Sequence, residues 1–205
     1  MTREERRAQI IDAALSLFAE KGFTGTRTRE IAAEAGISET LIFQHFKNKE
    51  TLYRESLNAL FGPHPILPEI QDAAKARDDG RVFQVMAEHI IRHSRKDPRI
   101  LRLTMFSGLE GLRMAGKTGQ RAEKEHGPHG ILSRYIRERV DEGAFRPLDP
   151  DMAARLYLEM VMMYAADQEL ALTGPPARVS NRKASALMAD IFVQGLRVAA
   201  IKPRS

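Results

Sequence analysis

Apolar side chains recur along almost the whole chain at spacings of three and four residues, and no stretch alternates with the two-residue period of a half-buried strand. A period near 3.6 lets a helix bury one face while the other stays wet, which confines the chain to helix-on-helix packing. Ile10, Ile11, Ala14, Leu15, Leu17 and Phe18 form the first such face. Thr2 precedes it with Glu5 three residues on, a reciprocal capping pair, and Gly22 closes it because glycine takes positive φ without a Cβ clash. Further helices are expected over 26–35, 38–46, 49–60, 67–78, 81–96, 98–114, 127–143, 150–173 and 182–200. Pro98, Pro128 and Pro150 suit first turns, whereas Gly80, Gly143 and Gly174-Pro175-Pro176 suit stops. Residues 116–127 (GKTGQRAEKEHG) read as a polar loop or a frayed helix end. The sharpest break in composition is Gly62-Pro63-His64-Pro65. The expected fold is all-α, with a three-helix domain over 1–48, a connecting helix over 49–60, and a larger helical bundle completing 49–205.

Composition narrows the function classes. The 205 residues include no cysteine, which removes disulfides, thiolate metal sites and a cysteine nucleophile. No run approaches the ~18 apolar residues of a spanning helix, and the MTREERRAQI start lacks a signal peptide's apolar stretch. A cytoplasmic protein with no membrane partner is the expectation. The formal charge is +5, yet residues 1–55 hold nine Lys/Arg against nine Asp/Glu, so the entire excess lies in 56–205. Net charge therefore makes no case for nucleic acid at the amino terminus, and only the placement of charges can make one.

Placement does so over residues 26–49 (TRTREIAAEAGISETLIFQHFKNK). Two short helices joined by a three- or four-residue turn containing glycine have helix–turn–helix spacing. Ile31, Ala35, Ile37, Ile42 and Phe46 supply the shared apolar seam, and Ala32 and Ala33 are small enough for close crossing. The other face of the second helix presents Glu39, Thr40, Phe43 and Gln44, which can enter a major groove. Arg27, Arg29, Lys47 and Lys49 surround helix amide ends suited to phosphate. Spacing alone also fits a helical hairpin of an ordinary bundle.

From Arg6 to about Leu57 the chain resembles the amino-terminal domain of the TetR (tetracycline-repressor-like) family. The resemblance rests on Ile10, Ala14, Phe18, Gly22, Phe23 and Thr26, then Ile31-Ala32, Ala35-Gly36-Ile37-Ser38, Phe43, His45-Phe46, Asn48-Lys49-Glu50 and Leu52. It implies an Ω-shaped homodimer whose third helix reads a palindromic double-stranded operator, and a larger helical domain that takes a small-molecule effector. By position it implies backbone or base contacts for Thr26, Arg27 and Arg29. Recognition-helix roles fall to Ser38, Glu39, Thr40, Phe43, Gln44 and His45, and phosphate binding to Lys49. Thr40 stands where the family often has glycine, and Phe43 where it usually has tyrosine. Losing that hydroxyl shifts affinity toward Lys47, Lys49 and helix amides. We read Glu39 as complementing the helix dipole rather than reading a base.

Beyond residue 60 the resemblance loosens and names no effector. The last helix carries Leu187, Met188, Ile191, Phe192, Gly195, Leu196 and Ala199 over more than one stripe, so one face can meet its own domain and the other a second copy. With the helix before it, this predicts a four-helix isologous dimer interface. Candidate effector-pocket residues are Met86, His89, His93, Met105, Phe106, Glu110, Glu159, Met160, Met163, Tyr164 and Gln168. The methionines and aromatics are equally plain core, while Glu110, Glu159 and Gln168 are either surface groups or anchors for a ligand's polar end. His89 and His93 have metal-ligand spacing, but HIIRH lacks the glutamate of HExxH and no third ligand declares itself, so no metal or cofactor is expected.

No phosphate loop, GxSxG elbow or acidic metal cluster supports catalysis, and His126 and His129 sit beside glycine and proline in an expected loop. The expected function is a ligand-responsive dimeric repressor. Its rivals are an effector-independent DNA-binding or interaction protein, whose DNA binding no metabolite would change, and an enzyme, which would turn over substrate.

Overall fold

The computed structural model describes residues 1–61, 67–111, 127–175 and 179–198. Among them are ten helices: α1 (Arg3–Gly25), α2 (Thr28–Glu34), α3 (Glu39–His45), α4 (Lys49–Phe61), α5 (Leu67–Lys75), α6 (Asp79–Lys96), α7 (Arg99–Leu109), α8 (Pro128–Asp141), α9 (Pro150–Leu170) and α10 (Asn181–Leu196). The described residues contain no strand, only an isolated antiparallel bridge between Phe145 and Arg197. The protein is all-α, with an amino-terminal helix–turn–helix and a helical carboxy-terminal region.

The chain forms two compact units. Helices α1–α4 and α7 make the first unit, and α5, α6 and α8–α10 the second. The first core explains why α4 and α7 belong to it. Ile10, Phe18, Ile31, Ile42 and Phe46 pack with Leu52 and Leu57 of α4 and Leu103 of α7. Phe18, Phe23 and Tyr53 form an aromatic cluster with centroids 4.9–6.0 Å apart. The Tyr53 hydroxyl lies 2.7 Å from Ser107 Oγ on α7, and burial pushes its pKa up. Arg99 at the start of α7 reaches Asp12 of α1 at 2.7 Å.

In the second unit, Phe83, Tyr157 and Phe192 bring α6, α9 and α10 together, and the Tyr157 hydroxyl donates to the Phe83 carbonyl at 2.7 Å. A buried polar group ties α6 to α8. Asp79, 6% exposed, accepts from the Tyr135 hydroxyl at 2.6 Å and from Arg139 Nε at 2.8 Å. Burial, and then the Asp79 carboxylate, push the Tyr135 pKa well up.

Several helix ends depart from expectation for local reasons. Gly80 lies inside the first turn of α6 rather than stopping α5, because Arg77 already takes positive φ (54°) and Asp78 Oδ1 accepts from Arg81 N–H at 3.0 Å. Helix α9 stops at Leu170, before Gly174, because Ala171 adopts the left-handed conformation and Asp167 collects the Thr173 amide at 2.7 Å. Helix α10 ends at Leu196, where extended residues follow and Arg146 N–H donates to the Leu196 carbonyl at 2.8 Å. Residues 116–126 of the loop expected over 116–127, including His126, and Ala199 lie outside the described residues.

Removing one partner of a buried ion pair leaves the other charge uncompensated, at a cost of about 3–5 kcal/mol. Asp79→Ala is therefore expected to lower unfolding free energy by about that amount in urea titrations followed by circular dichroism. A loss below about 1 kcal/mol would mean that Glu142, which also pairs with Arg139 at 2.5 Å, compensates the charge.

Candidate nucleic-acid interface

The helix–turn–helix is built from local rules. Helix α2 ends in a paired closure: Gly36, at φ 63°, donates to the Ala33 carbonyl at 3.1 Å, and Ile37 to the Ala32 carbonyl at 2.9 Å. Ser38 then caps α3, its hydroxyl oxygen accepting from Leu41 N–H at 3.3 Å. A short hydrogen bond from the Thr28 hydroxyl to the Glu39 carboxylate joins the first turns of the two helices.

Helix α1 holds this pair through its backbone. Gln9 donates to the Ala35 carbonyl at 2.8 Å, and Arg7 to the His45 carbonyl at 2.7 Å. The Arg7 guanidinium also lies 4.3 Å from the Phe46 ring centroid and pairs with Glu55. At the α1–α2 corner, Gly22 adopts φ 72° and ψ 176°, a region essentially closed to other residues. A Cβ there would stand 2.8 Å from Glu110 Oε1 and 2.9 Å from Phe106 Cδ1. The Glu110 carboxylate accepts from the Phe23 and Thr24 amides at 2.9 and 2.8 Å.

Several residues with expected DNA roles are also engaged within this scaffold. Thr26 is 1% exposed and its hydroxyl donates to the Gly22 carbonyl at 2.7 Å, so its side chain is closed to a groove. Lys49 is half-buried, donates to the Thr26 carbonyl at 2.8 Å, and lies 4.2 Å from the Phe23 ring centroid. Glu39 is exposed but engaged by Thr28. Arg27, Arg29, Ser38, Thr40, Phe43, Gln44 and Lys47 are exposed, and His45 is half-buried. Thr40, Phe43 and Gln44, three and four residues apart, share the outward face of α3.

Sequence reasoning gave no role to Arg3 and Arg6. They line a groove of about 390 Å³ with Thr2, Leu41, Gln44 and His45, and the buried His45 Nδ1 has no hydrogen-bond partner among the described residues. The available signal was the Arg3/Arg6/Arg7 run, which charge counting cancels against Glu4 and Glu5.

The expected effector-pocket residues divide between the units. Met105, Phe106 and Glu110 fall in the first, where Phe106 flanks Gly22 and Glu110 caps the α1 corner. In the second, Met86 and His89 are buried, and the His89 and His93 rings lie 4.2 Å apart. Glu159 and Met163 are exposed, Glu159 pairing with Arg155 at 2.7 Å, while Met160 and Gln168 are half-buried. The buried Tyr164 hydroxyl has no hydrogen-bond partner among the described residues. Of the expected dimer residues, Leu187, Ile191 and Gly195 are exposed and Met188 half-buried. Phe192 and Leu196 turn inward, Phe192 onto Phe83 and Tyr157.

Residues 10–55 match the family model described as bacterial regulatory proteins, tetR family. Those residues carry the amino-terminal domain of the tetR family. Over 53 residues the chain is 40% identical to the biofilm operon icaADBC negative transcriptional regulator IcaR of Staphylococcus epidermidis, a match spanning 26% of this chain and 29% of that protein. The transcriptional regulator RutR of Escherichia coli (strain K12) is 27% identical across 94% of this chain and 91% of its own. Among solved structures, AibR in complex with isovaleryl coenzyme A and operator DNA is similar in fold, with TM-score 0.64 and 20% identity over 94% of this chain and 98% of that one.

Glu110 offers a direct check on this assignment of roles. Removing an acceptor from two amides costs about 1–3 kcal/mol. Glu110→Ala should lose about that much stability with no ligand present, and amide exchange at Phe23 and Thr24 should accelerate. Parental stability would return Glu110 to the set of ligand anchors.

Proposed function

We propose that the protein is a sequence-specific, DNA-binding transcriptional repressor that acts as a homodimer and is released from a palindromic operator by a small-molecule effector. The observation that carries this reading is the outward face of α3. Thr40, Phe43 and Gln44 stand exposed on a helix whose cap and carbonyls are fixed by Ser38, Arg7 and Gln9. A helix so held can enter a major groove, where Gln44 would pair with adenine and Phe43 would touch a thymine methyl. Exposed Arg27, Arg29 and Lys47, with Arg3 and Arg6 beside Gln44, would position the backbone phosphates. Lys49 acts through the scaffold, since its ammonium already holds the Thr26 carbonyl.

A palindrome needs two readers. Helix α9 exposes Met152, Leu156 and Met163, and α10 exposes Leu187 and Ile191. These apolar stripes repeat at helical spacing outside the unit's own core, and an isologous four-helix contact with a second copy would cover them. The dimer would set two α3 helices about 34–36 Å apart, one turn of B-DNA. IcaR is named a negative regulator, which supports repression, and the ligand in the AibR complex supports a small-molecule effector, whose place would be in the second unit. The unpartnered Tyr164 hydroxyl there suits a ligand's polar group. A complete switch requires the effector to prefer the released form by about 5.5 kcal/mol. Among the described residues no helix is long and apolar enough to cross a membrane, and the proposed site of action is the cytoplasm. The protein works by binding rather than catalysis.

Selection from random duplex DNA should enrich a palindrome, and failure to enrich any sequence at low salt would defeat the reading. On the selected site, Gln44→Ala should change preference at one base pair per half-site. Lys47→Ala should weaken all sequences alike and flatten the salt slope by about one unit per subunit. Identical base-substitution profiles for the two variants would refute the division into reader and positioner. Leu187→Glu with Ile191→Glu should give a monomer in sedimentation velocity while leaving the circular dichroism spectrum unchanged.

A further inference from the structure

We infer that the second unit carries a separate site for a small ligand bearing two or more linked phosphate groups, in the groove between α6 and the start of α10. The groove is about 1120 Å³, and Arg81, Arg92, Arg95, Lys96 and Arg182 line it with a single carboxylate, Glu88. It lies in the part of the chain that holds the entire positive excess.

The fold uses only part of this charge. Arg81 pairs with Glu88 at 3.5 Å and Arg95 with Glu169 at 3.5 Å, whereas Arg92, Lys96 and Arg182 make no ion pair among the described residues. Arg92, Arg95 and Lys96 are three and four residues apart, so they crowd one helical surface, an arrangement that is unfavourable until an anion lies across it. The α6 carboxy terminus welcomes cations, and that accounts for Arg95 and Lys96. It does not account for Arg182, which with Lys183 occupies a first turn of α10 that contains no acidic residue and whose helix dipole already presents positive charge.

The arrangement selects the ligand class. A lone carboxylate would neutralise one cation, whereas linked phosphates can bridge from the α6 row to Arg182, each taking paired N–H donors from a guanidinium. The groove is roomy enough to admit a nucleotide-sized molecule. The position of Glu88 among the cations disfavours an extended anionic backbone or a headgroup layer, which would have to lie along it. The inference is independent of the DNA-binding reading, because every residue it uses lies in the second unit.

The test titrates sodium tripolyphosphate, and separately ATP, into the full-length protein by calorimetry at physiological ionic strength, with sodium chloride at matched ionic strength as the blank. Saturable binding is expected. It should weaken at least about tenfold in Arg92→Ala/Arg182→Ala, the loss of charge-assisted hydrogen bonds from two guanidiniums, and strengthen in Glu88→Gln. Because all three side chains lie at the surface of the groove, the variants should keep the parental circular dichroism spectrum and melting temperature. DNA affinity in the absence of polyphosphate should be unchanged in the double variant. The inference is overturned if no saturable heat appears up to millimolar probe, or if the double variant binds as the parent does. It is equally overturned if these residues instead retain duplex DNA or phosphatidylserine vesicles without binding tripolyphosphate.

Discussion

The geometry of the first unit depends on the corner at Gly22. There α1 must stop and the chain turn into α2 within a few residues, which strands amides and carbonyls at a helix end. Gly22 supplies the backbone conformation, φ 72° with ψ 176°, and the absent Cβ leaves room for Phe106 and Glu110. Glu110 then accepts the Phe23 and Thr24 amides, Thr26 donates its hydroxyl to the Gly22 carbonyl, and Lys49 donates to the carbonyl of Thr26. Four side chains from three segments of the chain thus converge on five residues. The direction in which α2 and α3 leave the corner follows from that convergence, and a substitution at Gly22 would strain the backbone and crowd the carboxylate together.

The same corner marks what a linear reading reaches and what it misses. Periodicity located the helices because burying one face is a local property of spacing: Ile10, Ala14 and Phe18 needed no partner to be recognised as a stripe. Caps were legible for the same reason, as at Thr2 with Glu5 and at Ser38. Glu110 was not. Its partner amide at Phe23 lies 87 residues away, so a polar residue beside apolar ones reads equally well as a ligand anchor. Thr26 and Lys49 carried over as DNA contacts because position in a motif does not disclose which atoms are already engaged. Helix α9 stops at Ala171 through Asp167, and no glycine announces it.

Charge behaves likewise. The amino-terminal balance of zero hides a division of labour among its cations. Arg7 is committed to the His45 carbonyl and to Glu55, and Lys49 to Thr26, whereas Arg27, Arg29 and Lys47 face solvent. The second group is free of such commitments to the backbone. In the second unit five cations line one groove, and the fold leaves several of them without a carboxylate. A count of charges sees neither arrangement, because what matters is which donors remain after the backbone has taken its share.

That partition bears on how a reading surface can change without losing its mount. Gln9, Arg7 and Lys49 hold α2, α3 and the corner through the carbonyls of Ala35, His45 and Thr26, groups that every residue type possesses. Thr40, Phe43 and Gln44 contribute exposed side chains to α3, and the seam beneath them is made by Ile42 and Phe46. Replacing an outward residue therefore alters the chemistry offered to a partner while the hydrogen bonds that orient the helix persist. Replacing Arg7 does the opposite, since it releases the His45 carbonyl, uncovers the Phe46 ring and leaves Glu55 unpaired in one step. Specificity and position are thus carried by different atoms of the same seven-residue helix, one set on its side chains and the other on its backbone.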